Sequence, residues 1–590
     1  MTDWPTWRQS PLFPGTESPE FQGALTTLRE LMGDLVAFFD DKGIGSSTPP
    51  ELLQEAMQRY CQVSDALLPV RGELQMRVTT DSRDEAAQSK TSELNRTAST
   101  MATLMTRLQR SVGLASPEAL NGAFFGSHGF FLEKSRDASV HQLSPGEEEL
   151  AAELDLSAGT AWSRLHGDVS SQLLATLTVG GQSKTLPIAE VRNLARSADR
   201  QVRMEAQRAE EQAWSSVEVP LAAAINSIKG QVNTLCRRRS WPNPLAQSLH
   251  QNNIDQATLQ ALQQACQEAA PRFRGYLEAK AALLGLPKLR FCDLLAPLGE
   301  DQRTWDYPEA EAFIVRNFRS FSERLGAFAE QAFAQNWIDV PPRPGKRGGA
   351  FCMAVRPGES RILLNYSTDL DSVATLAHEL GHGYHNLQLK ARSALQRQTP
   401  MTLAETASIF CETLTMDQAL REVSGAAKLH LLDTWLQGET QVVVDIHSRF
   451  LFEQELFSRR QDHELSAREL CELMEQCQLQ SYGPVLERGN SYAWAAKVHY
   501  YSSGRSFYNY PYTFGLLFGL GLYAEYQNHP GGFPERYDRL LSETGMYSAA
   551  DLAKRSFGLD IRDSAFWGRS LEIIGQQIDA LLELASQARA

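Results

Sequence analysis

Five consecutive residues, His378-Glu379-Leu380-Gly381-His382, carry the side chains of this chain that are best suited to chemistry. Two histidines four residues apart project from one face of an α-helix, so their ring nitrogens can converge on one divalent metal ion. Imidazole ligands that leave a position open for water favour Zn²⁺. Glu379 lies beside this metal position and is placed to act as general base for a water that the metal activates. The pentad therefore predicts a hydrolytic centre with one zinc ion.

The residues around the pentad predict that it lies on a helix. An apolar stripe with helical spacing runs through Val373, Leu376, Ala377, Leu380, Gly381 and Tyr384. The two histidines and Glu379 fall on the opposite arc, Gly381 permits a close neighbour, and Asp369 or Asp371 could cap the helix start. The alternative is a solvated polar face that matches the motif by chance. His463-Glu464 begins in the same way and lacks the second histidine.

A third metal ligand is expected from a carboxylate on the next helix. The sixth residue after His382 is glutamine, which excludes a histidine ligand at that spacing. The segment Thr402–Glu412 has helical character and places Glu405, Ser408 and Glu412 on one face. Glu405 is the predicted ligand. Glu412 is predicted to orient a histidine, the alternative being a solvated helix carboxylate.

Two strands are predicted just before the pentad. They cover residues 348–355 and 361–366, with a turn at 356–360. An exposed strand edge beside a metal centre can hydrogen-bond an extended peptide, and glycines allow its backbone to approach. Gly348, Gly349 and Ala350 are therefore predicted to contact substrate, and so is His385, which lies one turn too far along to bind the same ion. The alternative is a structural hairpin.

Aromatic side chains between residues 499 and 526 could stabilise a transition state. Amide hydrolysis creates an oxyanion, which needs a hydrogen-bond donor on the side away from the metal. A tyrosine hydroxyl or a histidine N–H can supply that bond. Tyr508 and Tyr512 are four residues apart and could share a helix face. Core packing is the alternative for such an aromatic stretch.

Composition limits the class of protein. The chain has 590 residues, and its 57 basic and 71 acidic residues give a net charge of −14, which argues against nucleic acid or an anionic membrane as main partner. No basic and apolar leader begins the chain, and no run of about 18 apolar residues occurs. The eight cysteines form no C-x-x-C pair. A cytoplasmic protein is expected, and a monomer and a homodimer both remain open.

The order of patterns predicts a mainly helical chain. Helical periodicity covers residues 20–41, 50–70, 89–112, 189–239, 255–285, 308–336, 428–480 and 564–588. A hairpin with a primed turn is predicted at 173–187, around Gly180-Gly181. A boundary near residue 195 would divide an N-terminal, mostly helical region (1–195) from a catalytic domain (196–590).

The combination of motifs resembles the oligoendopeptidase F branch of the thimet oligopeptidase family. It consists of Gly-Gly-Ala-Phe-Cys, Leu-Leu-Asn-Tyr, His-Glu-Leu-Gly-His, Ala-Glu-Thr-Ala-Ser, and then His499 with Phe-Tyr-Asn-Tyr-Pro-Tyr-Thr-Phe-Gly. Residues 141–144 and 161–165 resemble the N-terminal region of that branch. The likeness covers about residues 115–580.

The resemblance implies a large helical zincin-like fold, with a small β-sheet beside the motif helix and a deep channel for short unstructured peptides. It implies zinc ligation by His378, His382 and Glu405, with Glu379 as general base and proton shuttle. His499, Tyr508 and Tyr512 are similar to the groups that hold the substrate carbonyl and the oxyanion. Tyr510, also predicted to bind substrate, and Tyr501 are alternatives. The predicted activity is zinc-dependent endopeptidase; a zinc carboxypeptidase and a peptide-binding scaffold with a structural metal are the other candidates.

Overall fold

The computed structural model describes residues 4–9, 11–299 and 303–587, and these form a mainly α-helical protein, as the sequence predicts. The helices α1 to α25 are, in chain order, Pro19–Asp41, Pro50–Thr80, Glu85–Leu114, Ala123–Ser127, Gly129–Val140, Pro145–Ser157, Gly159–Gln172, Ile188–Asn193, Arg200–Ser216, Glu218–Arg238, Pro244–Gln251, Gln256–Leu283, Tyr307–Phe321, Glu323–Ala334, Leu370–Gln388, Met401–Ala404, Thr406–Glu422, Gly425–Thr440, Ile446–Arg459, Ala467–Tyr482, Ala493–Ala496, Tyr510–Asn528, Phe533–Ser542, Ala549–Phe557 and Ser564–Gln587. The strands β1 to β7 are Leu174–Val179, Gln182–Pro187, Leu289–Arg290, Ile338–Asp339, Phe351–Arg356, Glu359–Leu363 and Leu486–Arg488.

Two compact units interleave along the chain. The first unit consists of Met1–Gln142, Arg303–Gln418 and Glu525–Leu559, and the second of Leu143–Gln302, Ala419–Ala524 and Asp560–Ala590. The division into compact units does not test the predicted boundary near residue 195, which stays a prediction.

The first unit has an apolar core formed by its N-terminal helices. Phe21 and Phe39 on α1, Leu53 on α2 and Leu108 on α3 have at most 1% of their surface exposed. The start of α1 is fixed by Ser18, whose Oγ accepts a hydrogen bond from the N–H of Phe21 at 3.2 Å. Helices were predicted at 20–41, 50–70 and 89–112. All three are present, and α2 continues past Pro69 to Thr80.

A small three-stranded sheet lies in the first unit, with strand order β4-β6-β5. β6 pairs in parallel with β4 and antiparallel with β5. β5 pairs with β6 alone among the described strands and is therefore an edge strand. Its Val355 packs with Leu363 against Trp7 and Met76, and a Cβ at Gly72 on α2 would lie only 2.8 Å from Val355 Cγ1. This close packing fixes the sheet against α2.

The predicted limits of these two strands are partly wrong. β5 begins at Phe351 rather than Gly348, because Gly349 has φ +80° and the side chain of Asn365 holds the carbonyls of Arg347 and Gly349 in a loop. The return strand begins at Glu359, since the turn contains only Pro357 and Gly358. Gly358 adopts φ +79°, a conformation that favours glycine.

The second unit contains the predicted hairpin and many of the long helices. β1 and β2 pair antiparallel around Gly180 and Gly181, whose φ values of +58° and +78° fit a primed turn. The helical segment predicted at 189–239 is divided into α8, α9 and α10. The segment predicted at 428–480 contains a π-helical stretch, Gln441–Asp445, between α18 and α19.

Within the part of the chain that the structure describes, no helix combines the length and the apolarity that a membrane span requires.

Candidate active site

The motif helix α15 forms where the apolar stripe predicts it. Asp369 caps its start by accepting a hydrogen bond from the N–H of Ser372 at 2.8 Å. The stripe faces the core, since Val373, Leu376, Ala377, Leu380 and Tyr384 have no measurable exposure. The hydroxyl of Tyr384 donates to Asp538 at 2.5 Å. These contacts fix the rotation of α15 about its axis and thus the direction of its polar arc.

Gly381 brings α17 against α15. A Cβ at this position would lie 2.5 Å from the carbonyl oxygen of Ala407 and 2.6 Å from Cα of Ser408. Real Cβ atoms do not approach backbone so closely. The glycine inside the pentad therefore permits the helix contact that the sequence analysis expected and brings Glu405, just before α17, to the histidines.

Three predicted ligands converge in the first unit. One donor atom each from His378, His382 and Glu405 lies within 4.8 Å of the others. Glu405 Oε2 is 3.2 Å from Nε2 of His378 and 3.4 Å from Nε2 of His382. The predicted continuous helix is interrupted at Glu405, which lies in a turn between α16 and α17. Ser408 Oγ donates to the same carboxylate oxygen at 2.8 Å, and this bond holds Glu405 in place.

Glu412 lies behind the first histidine, as expected of a group that orients it. Its Oε2 is 2.8 Å from Nδ1 of His378. A carboxylate at Nδ1 stabilises the tautomer that is protonated there, so Nε2 keeps its lone pair on the side of Glu405.

The electrostatics of the cluster favour a cation. Burial alone would lower the pKa of His378, but hydrogen bonds with Glu405 and Glu412 outweigh it and hold this pKa well above its ordinary value. Burial would raise the pKa of Glu405, but His378 and His382 hold it well below the usual range. A site that attracts a proton in this way also attracts a divalent ion. The residues present fit zinc, which takes two imidazoles and a carboxylate and leaves a fourth position open.

Glu379 is buried beside the cluster and has an uncommitted oxygen. It is 6% exposed, and its Oε2 has no hydrogen-bond partner among the described residues. Burial raises the pKa of Glu379, and the neighbouring His382 and His378 partly offset this. A buried carboxylate oxygen without a partner is costly, and an active site is where such a cost is expected.

A cavity of about 580 Å³ opens over these side chains. Besides the two histidines, Glu379 and Glu405, its walls include Ala350, Phe351 and Cys352 at the start of the edge strand β5. A Cβ at Gly348 or Gly349 would meet no atom of the described residues within 4 Å, so the backbone ahead of β5 is open to approach. These positions are compatible with the predicted peptide contact, which remains a prediction.

His385 also borders the cavity, but its ring is buried. Its Nε2 lies 2.9 Å from Oγ1 of Thr544, and only 4% of the residue is exposed. Burial, followed by the charge of His382, lowers the pKa of His385 to about 4, so the ring is neutral near pH 7. His385 is absent from the three-ligand cluster, in agreement with the spacing argument. Its predicted substrate contact stays a prediction.

In the second unit, His499, Tyr508 and Tyr512 form a cluster of rings. The ring of His499 lies 4.6 Å from that of Tyr508 and 6.4 Å from that of Tyr512, and the two tyrosine rings are 5.9 Å apart. They do not share a helix face, since α22 begins at Tyr510 and Tyr508 lies before it. Phe507 has a left-handed backbone with φ +54°, a feature with no evident sequence signal, and it interrupts the helix that the spacing suggested.

Asn509 determines how His499 can act. Its Oδ1 accepts a hydrogen bond from Arg449 at 3.3 Å and lies 2.9 Å from Nδ1 of His499. A proton on Nδ1 satisfies this contact, because the amide oxygen can only accept. Burial lowers the pKa of His499, so the ring favours the neutral form, in which Nε2 is an acceptor. Of this ring cluster, the tyrosine hydroxyls are thus the better candidates for donating to an oxyanion.

The structure does not support the predicted substrate contact of Tyr510. This residue is 1% exposed, and its hydroxyl lies 3.3 Å from Oγ of Ser248. Tyr501, the other alternative, is also buried and stacks on His166 with ring centres 3.8 Å apart. Packing explains both positions, which is the alternative that the sequence left open.

Asn386 and Arg397 are among the cavity residues that escaped prediction. Asn386 lies one turn after His382 on α15, and its Nδ2 donates to Ser360 Oγ at 3.0 Å. The i, i+4 spacing from His382 is a signal that could have found it. Arg397 lies in the loop after α15 and pairs with Asp65, a contact distant in sequence that no local pattern could indicate.

A mainly helical chain with a two-histidine, one-glutamate cluster on a motif helix is typical of a class of metallopeptidases. Comparison with known proteins makes this specific. The model of peptidase family M3 matches residues 193–573, and that of oligopeptidase F matches residues 119–173. The chain belongs to peptidase family M3, and the resemblance to its oligoendopeptidase F branch is confirmed.

The relatives are distant in sequence. Group B oligopeptidase PepB of Streptococcus agalactiae is 26% identical over 399 residues, an alignment that covers 66% of this chain and 65% of the relative. The chain thus matches slightly less than two thirds of that relative's length. Among solved structures, a candidate peptidase from Chlamydophila abortus has a TM-score of 0.79 at 21% identity, covering 94% of this chain and 96% of that one. Oligoendopeptidase-F from Enterococcus faecium has a TM-score of 0.69 at 18% identity, covering 96% and 99%. These structures share the fold.

Proposed function

We propose that this chain is a zinc-dependent endopeptidase that hydrolyses internal bonds of short, unstructured peptides. The observation that carries the proposal is the convergence of His378, His382 and Glu405, with a donor atom of each within 4.8 Å of the others, beside the uncommitted carboxylate oxygen of Glu379. Family membership and the names of the oligopeptidase relatives support the same activity.

The three ligand residues would hold one zinc ion, which supplies a Lewis acid for the carbonyl and acidifies water. Glu379 Oε2 accepts a proton from the attacking water and then delivers it to the leaving nitrogen. The raised pKa of Glu379 suits both steps, since a stronger base takes the proton and the protonated carboxyl can release it. Glu412 keeps His378 oriented through Nδ1.

Substrate binding is proposed to use the edge of β5. An extended peptide can add to an edge strand through backbone hydrogen bonds that are independent of its side chains. Ala350 and Phe351 belong to the wall of the metal-site cavity, so a strand added there would run beside the histidines. Backbone recognition of this kind selects extended chains, and it supports short unstructured peptides as substrates.

The oxyanion role of Tyr508 and Tyr512 rests on family resemblance and on their hydroxyls as donors. The cytoplasm is the proposed compartment, in keeping with eight free cysteines.

A quenched fluorescent peptide blocked at both ends tests the reaction type. The zinc-loaded protein is expected to cleave it at an internal bond, and mass spectrometry would locate that bond. Release of single residues from free C-termini, with the blocked peptide intact, would identify a carboxypeptidase. Binding of the peptide without any cleavage would favour a scaffold whose metal is structural.

A further inference from the structure

A second cavity, of about 220 Å³, lies within the second unit and is not part of the metal centre. Its apolar wall includes Leu277 on α12 and Leu294 and Leu295 in the segment after it. Its volume is below the roughly 300–1,000 Å³ of sites for drug-sized ligands, so its occupant should be about the size of an amino acid or a dipeptide.

The charges of this cavity do not balance. Among its described lining residues, Arg192 pairs with Glu210 at 2.7 Å, and Arg449 pairs with Asp445. Lys497 also lines the cavity; its backbone bonds Ala493 and Tyr500, but its ammonium group has no hydrogen bond or ion pair with a described residue. Lys497, which directly follows the C-terminal end of α21, is therefore the cation of this wall without an acidic partner in the described part of the chain.

Arg203 is a fourth cation on the wall, and it has a carboxylate partner that it shares with Arg200. It is 2% exposed and donates to Asp293, which is completely buried, at 3.1 Å. Each described arginine of the wall thus has a carboxylate partner, whereas Lys497 has none among the described residues.

Uncommitted hydrogen-bond donors surround the same space. Three buried polar atoms of lining residues have no hydrogen-bond partner within the described chain: Thr440 Oγ1, Arg203 Nε and Arg192 Nη2. Unsatisfied buried donors are uncommon in folded proteins, and a bound acceptor would remove their cost.

The backbone beside the cavity is also unusual. Gln441–Asp445 is a π-helical stretch, and both of its end residues line the cavity. π-Helical turns are rare and frequently occur at functional sites.

We propose that this cavity binds a small organic carboxylate with an apolar body, whose charge is met by Lys497. One unmatched ammonium group balances a monoanion, and the neutral hydroxyl of Thr440 can donate to its oxygens. A phosphate would need further unpaired cations, which the described walls lack because their arginines are already paired. The apolar wall receives the body of the ligand.

Calorimetric titration of the zinc-loaded protein with three probes tests this inference. N-acetyl-phenylalanine represents the C-terminal end of a peptide, 3-phenylpropionate a free acid without a peptide group, and N-acetyl-phenylalaninamide the neutral counterpart. We expect at least one acid to bind and the amide to bind at least about tenfold more weakly. Binding of N-acetyl-phenylalanine alone assigns the site to peptide ends, and binding of 3-phenylpropionate assigns it to free acids.

Substitutions test whether the acids bind in this cavity. Lys497→Met, which keeps the apolar stem, should weaken acid binding roughly 10- to 100-fold, whereas Lys497→Arg should retain it. Lys184→Met, at an exposed position on β2, is the matched control and should change nothing. If Lys497→Met does not fold, Thr440→Val should still weaken binding severalfold. Absence of acid binding, equal binding of the amide, or unchanged affinity in a folded Lys497→Met protein would overturn the proposal, the last because it would locate the ligand elsewhere.

Discussion

At the scale of single residues, the site combines a cation-attracting cluster with a carboxylate that is kept apart from it. Glu405 touches both histidines, and Glu412 binds the back of one of them. Glu379 lies on the same helix as the histidines, yet one of its oxygens has no partner among the residues that the structure describes. Replacing Glu405 or Glu412, which contact the histidines, is therefore expected to affect metal binding. Replacing Glu379 is expected to affect turnover instead.

Replacing Glu405 by glutamine should remove zinc from the protein. The amide keeps the size of the side chain but loses the charge that faces both histidines. Loss of a group that only hydrogen-bonds a metal ligand typically lowers metal affinity roughly 10- to 100-fold, and this is the range expected for Glu412→Gln. For Glu405→Gln we expect a larger loss of zinc affinity. Metal analysis after dialysis, with a competing chelator for affinity, measures both. His463→Ala, in the exposed partial motif, is the control and should leave zinc unchanged. Full zinc occupancy in Glu405→Gln would mean that another residue is the third ligand.

At the scale of elements, the helix α15 and its neighbour α17 are positioned by the absence of a side chain at Gly381. The same residue could be identified in the sequence, because a glycine inside an apolar helical stripe requires a packing reason. The contact partner could not be identified, since Ala407 is 26 residues away and no local pattern connects the two helices.

Gly381→Ala should destabilise the protein and weaken zinc binding together. The added methyl group collides with the start of α17, which directly follows Glu405, at a cost of about 1–3 kcal/mol. This cost exceeds the gain of about 1 kcal/mol that alanine brings in helix propensity. Gly275→Ala on α12 is the matched control and should be neutral or stabilising, because a Cβ there meets no atom within 4 Å in the described part of the chain. Urea unfolding and metal analysis of both variants measure the effect. Equal stability of the two would show that α17 can move away freely.

The elements near the site differ in how well sequence predicts them. The apolar period of α15 and the Gly-Gly turn of β1 and β2 are local signals, and both predictions are confirmed. The start of β5 was predicted three residues too early, because Asn365 holds the preceding loop from a distance in the chain. The break before Tyr510 depends on the left-handed conformation of Phe507, which ordinary residue preferences do not indicate.

At the scale of the whole molecule, buried histidines should make the fold sensitive to acid. Burial lowers the pKa of His385 to about 4, and it also lowers the pKa values of His166 and His447. The unfolded chain, with histidine near pH 6.5, therefore takes up protons before the folded protein does. Stability contributed by these rings is complete above about pH 6.5 and is lost as pH falls toward 4.

The contribution of His385 can be isolated by substitution. Between pH 7.5 and 5, the urea midpoint of the wild-type protein should fall further than that of His385→Gln, whose side chain does not titrate. Complete protonation of His385 would lower the free energy of unfolding by roughly 3 kcal/mol. Both proteins should be compared with chelator present, because acid would also release a metal ion held by the proposed ligands. The same pH dependence in both would contradict a neutral buried ring at this position.

The proposed activity depends most directly on Glu379 as the base. Glu379→Gln, prepared with the same zinc content as the wild type, should bind a blocked peptide with similar affinity, since no ligand is altered. Its turnover, followed by mass spectrometry of the products, should fall by roughly 10²–10⁴-fold, the contribution typical of a positioned general base. Turnover near the wild-type value in a pure, zinc-loaded Glu379→Gln protein would contradict the assignment of this centre as a zinc peptidase site with Glu379 as its base.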